Sequence, residues 1–407
     1  MRTTSKSPEG SLGSATDLKH AQDVAALSAE LDSQVGRFNL PARREIRRLV
    51  RSSSRLADLA TVFPGAIYAI ASRRGPAANR LQAISLVEQG APLKAVAKSL
   101  DLPLWLKRLP PEAFRGPLGR LPAGEVFTRR VANRIPRTMA ETACWLDTMT
   151  FATESCHDDF ALWLADQHLY TEPSEPERLF AVLAAYAWFS GTPATRAHQL
   201  IVVPWRAEIG FDTAVCAAKS WLNRLRLVMQ LDQGVITDPW LEGGKAMGLE
   251  FVALIDHREI LEESQSMQNC ADQYAERLSR DKCRLFSVRR SGTRIATLEI
   301  GPHPRETGVL TITQLKARHN MPVPGDVWQA AHAWLSCQTG LKRIPPMMAP
   351  DRPLKVETWE ALMAPYRQKT NGAHWLPESA TLSAFGQLDH DLADLARRAG
   401  VSSWLFT

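Results

Sequence analysis

The chain has 407 residues, of which 45% are hydrophobic and 23% charged, with 49 Lys and Arg against 43 Asp and Glu. A globular protein of two or three domains is expected from this, and a wholly disordered chain, a collagen and a disulfide-dense miniprotein are excluded. No apolar run reaches the ~20 residues that span a bilayer, and MRTTSKSPEGSLGS at the start lacks the apolar core of a secretory signal. A cytoplasmic protein with no membrane partner is therefore expected.

The net charge of +6 is unevenly spread. Residues 1–140 hold 23 basic and 11 acidic side chains, whereas residues 141–407 hold 26 and 32. Two readings stand: a polyanionic partner, DNA or RNA, or Arg-rich helices that merely solvate their outer faces.

Residues 1–34 show little apolar pattern and read as a disordered tail. From Leu40 the spacing turns helical, with Ile46, Leu49, Val50, Leu56, Leu59 and Ala60 at three- and four-residue intervals. Pro41 suits a first helical turn. Arg43, Arg47 and Arg51 fall at i, i+4 and i+8, and Arg44, Arg48 and Arg55 form a second row beside them. Six guanidinium groups would then share one face, each able to neutralise a phosphate and release counterions.

Further helices are expected over Ala66–Ser72 and Ala78–Gln89, punctuated by Gly75-Pro76 and Gly90-Ala91-Pro92. A short helix over Leu93–Leu100 is followed by a Leu102-Pro103 break. That pattern fits the opening of a helix-turn-helix or a plain helical bundle. Prolines 103, 110, 111, 117, 122 and 136 exclude a continuous helix over 103–137. Helical spacing returns over 138–230, where Trp145, Trp163, Trp188 and Trp221 are expected core anchors. Residues 35–235 thus read as one helical region, basic at its start, of one or two subdomains.

The Gly-rich stretch 231–250 reads as a boundary. Beyond it, Leu285–Arg289 and Arg294–Ile300 read as strands joined by a Ser291-Gly292 hairpin turn, with a third strand over Val309–Leu315. A helix from about Met267 to Leu278 precedes them, and one from about Pro324 to Thr339 follows. Residues 236–345 then form a helix, three-stranded antiparallel sheet, helix module. Residues 346–407 read as a Pro-rich tail with a helix over Leu388–Arg398. The expected fold class is α+β: a mainly α-helical N-terminal region followed by this small C-terminal module.

The six cysteines (144, 156, 216, 270, 283 and 337) form no CxxC pair and no zinc-finger spacing. Most read as buried small hydrophobes; only Cys270 has a polar context. Cys270, Cys283, His303 and His319 match no standard metal spacing. Walker, GxGxxG and HExxH motifs are absent, so neither a metal nor a cofactor is expected.

The polar residues of the C-terminal module form an ordered string. Met267-Gln268-Asn269-Cys270 precedes Tyr274, Ser287-Val288-Arg289 ends a strand, and Thr297-Leu298-Glu299 lies in the next. Gln314, Lys316 and Asn320 close the third. This order resembles the PcfJ-like family, named for a protein encoded on a conjugative plasmid. Its pattern is Met-x-His-Cys with a Tyr four residues on, an Arg after a strand, Thr-x-Glu, and Gln-x-Arg/Lys followed by Asn. The resemblance covers about 255–325. The stretch LPLWLKRLPP over 102–111 is similar to the N-terminal region of bacterial members. The resemblance implies an accessory protein of a mobile or conjugative element, associated with nucleic acid and with other mobile-element proteins. One departure matters: the family's His is Asn269 here, which has no titratable proton near neutral pH. An activity that needs that imidazole would be lost.

By spacing, Cys270 and Tyr274 share one helical face, and Thr297 and Glu299 share one sheet face. Packing of helix on sheet would bring Cys270, Arg289, Glu299 and Gln314 together. One reading is a Cys-centred enzyme. Cys270 is then a nucleophile favoured by a helix N-terminus, Arg289 an anion or oxyanion ligand, and Glu299 an orienting or basic carboxylate. Asn269, Tyr274, Thr297, Lys316 and Asn320 would bind the ligand. The other reading is a buried polar network, with Arg289 paired to Glu299, in a non-catalytic interaction scaffold. His257 and His319 are the only histidines close to the motif that could replace the missing imidazole.

Overall fold

The computed structural model describes residues 29–169, 175–231, 236, 238–342, 354–371 and 375–401. The chain divides into two units, Met1–Pro176 and Glu177–Thr407. It is an α+β protein, helical in the first unit, with an antiparallel sheet between helices in the second. No helix among the described residues is long and apolar enough to cross a membrane.

In the first unit, α1 (Leu40–Ser52) buries Ala42, Ile46, Leu49 and Val50, and α2 (Ser54–Val62) buries Leu56, Leu59 and Ala60. Extended backbone at Ser53 separates them. Arg55 therefore lies on α2, and the expected row of six arginines on one helix is a row of five. Residues 29–36 are already helical, so the expected disordered tail does not run through 34. The helices α3 (Pro64–Ala71), α4 (Ala77–Glu88) and α5 (Leu93–Ser99) follow. After the Leu102-Pro103 break comes a 3-10 turn, Leu104–Arg108, rather than a second full helix. Trp105 in this turn is buried, donates to the Pro122 carbonyl at 2.9 Å and meets Trp145 edge-on at 5.6 Å. The proline-rich stretch thus serves as core. The short α6 (Glu125–Arg130) leads to α7 (Met139–Ser155), capped by Thr138, and α8 (Asp158–Ala165) packs against α7.

In the second unit, α9 (Ala181–Ser190) and α10 (Phe211–Leu231) precede the sheet. Trp163 and Trp221 are buried like Trp145, but Trp188 is only half-buried, against Phe189 and Tyr366. The sheet has five strands, not three: β1 (Gly244–Ala246), β2 (Leu249–Ala253), β3 (Arg284–Arg290), β4 (Thr293–Pro302) and β5 (Leu310–Ala317), in sequential antiparallel order. The extra hairpin falls in the stretch expected to be a boundary. Its signal is the alternation of Leu249 and Phe251, both buried. Its turn residues, Met247 and Gly248, take positive φ, as do Ser291 and Gly292, the geometry of a two-residue hairpin turn.

Period-two alternation gives the sheet two unlike faces. Phe251, Phe286, Val288, Ala296, Leu298 and Leu315 form an apolar core with α13 (Gly325–Ser336), whose Trp334 stacks on Phe251 at 4.8 Å. The other face carries Ser287, Thr297, Glu299, Gln314 and Lys316, in register across β3, β4 and β5. Over it lie α11 (His257–Met267), a 3-10 turn (Ala271–Gln273) and α12 (Ala275–Ser279). The helix expected over Met267–Leu278 is thus a helix end, a turn and a short second helix. The helices α14 (Val356–Lys369) and α15 (Leu382–Arg398) complete the unit; Asp389 of α15 binds Lys219 and Arg226 of α10, each at 2.7 Å. The expected boundary at 235/236 therefore falls inside this unit.

Candidate functional site

The chain reverses at the end of α11 because Gln268 adopts the left-handed conformation (φ 50°, ψ 48°). The Asn269 amide donates to the Ser264 carbonyl at 3.2 Å, and the Ser264 hydroxyl donates to the Asn269 carbonyl at 2.8 Å. The Asn269 side chain accepts from the Ala271 amide at 3.1 Å. These local bonds replace the helix. A buried ion pair, Arg224 to Asp272 at 3.0 Å, ties the turn to α10.

Eight of the nine residues singled out in this module line one cleft: Asn269, Cys270, Tyr274, Thr297, Glu299, Gln314, Lys316 and Asn320. It encloses about 20 Å³, room for about one water molecule. Arg289 is the exception. Its Nε donates to the Ser287 hydroxyl at 3.2 Å. In the register, Leu285 faces Glu299; Arg289 lies four residues further along β3, roughly 13 Å away, beyond a register shift between Val288 and Arg289.

Arg277, on α12, takes the place expected for Arg289. Its Nη1 lies 3.0 Å from Glu299 Oε2, its Nη2 binds Oε1, and its guanidinium sits 5.1 Å from the Tyr274 ring centroid. Glu299 also accepts from the Tyr274 hydroxyl at 2.8 Å and from the Thr313 hydroxyl at 2.7 Å. Thr313 reaches it where a register shift interrupts the β4–β5 pairing after Glu299. Four donors fill the four acceptor positions of this buried carboxylate, which leaves no lone pair for a base.

Tyr274 also lies 2.8 Å from Gln314 Oε1. One phenolic proton serves one acceptor. It goes to the charged carboxylate, and both contacts are satisfied when the Gln314 amide is assigned with its NH2 rather than Oε1 toward the phenol oxygen. Burial, reinforced by the Glu299 charge, pushes the Tyr274 phenol upward, so it stays a neutral donor.

A second chain of bonds runs beside the first. The fully buried Glu263 accepts from the Thr297 hydroxyl at 2.7 Å and from Arg294 Nε at 3.0 Å, and Asn269 Nδ2 donates to Thr297 Oγ1 at 2.8 Å. Burial pushes the Glu263 carboxyl up, opposed by bonds from Thr297 and Ser287 and by the Arg294 charge. Glu263 and Arg277 are absent from the residues that sequence reasoning singles out. Glu263 stands at i+3 from Ile260 and i−4 from Met267, both buried, and that spacing is its signal. Arg277 stands at i+3 from Tyr274.

The Cys270 thiol is pushed up, not down, by burial and by the nearby Asp272 and Glu299 carboxylates. It precedes a three-residue turn rather than a helix, so no helix dipole favours the thiolate expected from the sequence. Its thiol lies 4.0 Å from Asn320 Oδ1, a weak hydrogen bond. Neither His257, at the first position of α11, nor the exposed His319 lines the cleft. Among the described residues no group of three His, Cys, Asp or Glu is placed to hold a metal ion.

In the first unit, the arginines of α1 are partly engaged. Arg43 donates to the Phe38 carbonyl at 2.8 and 3.1 Å. Arg47 and Arg51 share Asp32 at 3.3 and 3.2 Å, and Arg48 pairs with Glu45 at 2.6 Å. Arg44 is exposed. Residues 141–176 add eight acids and no Lys or Arg, so the net +12 of residues 1–140 becomes +4 over the unit.

No family model, no curated protein and no solved structure matches this chain.

Proposed function

We propose that this chain is a nucleic-acid-associated accessory protein of a mobile or conjugative element, acting in the cytoplasm alongside other proteins of that element. The observation that carries the nucleic-acid reading is the surface of α1, where Arg43, Arg44, Arg47, Arg48 and Arg51 meet only two paired carboxylates among the described residues, Asp32 and Glu45. Exposed pairs of this kind are worth about 0–1 kcal/mol, so phosphates can displace them with release of counterions. The PcfJ-like string of polar residues supports the mobile-element part. In this reading the C-terminal module is a non-catalytic scaffold. The full set of donors on Glu299 and the raised Cys270 thiol favour that over a Cys-dependent enzyme.

The test is fluorescence anisotropy of the full chain with labelled single- and double-stranded oligonucleotides at two salt concentrations. Binding that weakens steeply with salt, and is lost when the five arginines are replaced by Glu with helicity intact, is the expected result. Absence of binding at low salt would reduce the α1 face to a solvated surface.

A further inference from the structure

The first unit holds a larger cavity, lined in part by the helix and Leu102-Pro103 break that the sequence offers as the opening of a helix-turn-helix. It is a cleft of about 610 Å³ between α5, the loop 119–124 and the first turn of α8, within the size range of ligand sites. Lys94 and Lys98 stand one helical turn apart on α5, on one face, and Arg120 reaches in from the opposite loop. All three are exposed, and none pairs with a carboxylate among the described residues.

The remaining charged groups of the cleft include two that build its walls. Arg74 donates to the Asp101 carbonyl at 2.9 Å and to the Gly119 carbonyl at 3.2 Å, pinning one wall to the other. Asp158 Oδ2 accepts from the amides of Ala123 at 3.0 Å and Gly124 at 2.7 Å, so it is occupied at the start of α6. The Arg120 amide is itself held by Glu154 at 2.9 Å. Asp101 is the other lining acid, so four cations face two carboxylates, one of which, Asp158, already accepts two backbone amides. Pro103 and Leu121 supply an apolar wall.

We propose that this cleft binds a phosphate ester, its charge held by Lys94, Lys98 and Arg120 and its sugar or base against the apolar wall. The site deepens the nucleic-acid reading and rests on it for the source of the ester, a phosphodiester strand rather than a free nucleotide.

The test titrates the full chain with a labelled single-stranded oligonucleotide, by anisotropy, and with a mononucleotide, by calorimetry. The variant carries Lys94→Gln, Lys98→Gln and Arg120→Gln. Its exposed positions should leave the thermal midpoint unchanged. The expected result is a loss of about tenfold or more in oligonucleotide affinity at low salt. The slope of log K against log salt should also become shallower by about 2, at ~0.7 for each phosphate of a single strand that is no longer neutralised. Mononucleotide binding abolished by the variant, without oligonucleotide binding by the parent, would support the site and remove the nucleic-acid reading. Oligonucleotide binding that survives in the triple variant but is lost with the α1 arginines would overturn the site and keep that reading. A parent chain that binds neither probe would overturn both.

Discussion

Arg277 holds both carboxylate oxygens of Glu299, with Nη1 3.0 Å from Oε2, and so binds α12 to the polar face of the sheet. The acid is buried and the arginine about half-exposed, with 47% of its side chain accessible. Two hydroxyls, from Tyr274 and Thr313, complete the donors around the carboxylate.

Removing Arg277 leaves Glu299 buried with its charge poorly compensated. Arg277→Ala should destabilise the chain by about 1–3 kcal/mol, the range for an orphaned buried acceptor. Arg289→Ala removes a bond to Ser287 and part of the positive charge near Glu263, but no bond to Glu299, and should cost less than Arg277→Ala, about 1 kcal/mol. Urea denaturation of both variants checks this, and equal losses would contradict the assignment of Arg277 as the partner.

The raised Cys270 thiol predicts slow chemistry. In a Cys337→Ser background, which removes the exposed cysteine, Cys270 should alkylate at neutral pH more slowly than a free thiol, and its rate should climb only above the ordinary thiol range. Asp272→Asn breaks the buried pair with Arg224 that anchors the turn. It should cost about 3–5 kcal/mol and accelerate Cys270 modification. Fast alkylation of the parent at neutral pH would restore the nucleophile reading.

Burial raises the Glu263 carboxyl above its unfolded value, with Thr297, Ser287 and Arg294 opposing. The folded state therefore keeps a proton that the unfolded chain releases. That contribution is fully present below the unfolded carboxyl range, about pH 4, and is lost as pH rises through the folded value. Asp272 is shifted in the same direction by burial, against the pull of Arg224. The urea midpoint should accordingly carry a component that falls as pH rises from about 4 through the raised folded values. Glu263→Gln, which cannot titrate, should flatten it. Parallel curves for parent and variant would show that Glu263 is not its source.

Much of the C-terminal module is legible in the residues themselves. Alternation places Thr297 and Glu299 on one face, Ser291-Gly292 marks the hairpin, and the ordered polar string leads to the eight residues that line the cleft. The β1–β2 hairpin is hidden because its glycines read as a linker, although Leu249 and Phe251 alternate. The break at Gln268 has no local signal. No glycine marks the left-handed position, and the apolar spacing of Met267, Ala271, Ala275 and Leu278 runs on through the turn as if it were a helix.

What the sequence determined by itself was the periodicity: where side chains alternate or recur every three to four residues follows from backbone geometry, which is local. The tertiary structure alone decided the partners. The sequence pointed to Arg289, and only strand register, a register shift in β3 and the packing of α12 brought Arg277 to Glu299 instead. The same holds for charge. Four arginines of α1, Arg43, Arg47, Arg48 and Arg51, face Asp32, Glu45 and the Phe38 carbonyl, and acids such as Asp147, Asp158 and Asp166 lie in the same unit as α1. Ion pairing depends on distance in space, and the fold sets that distance.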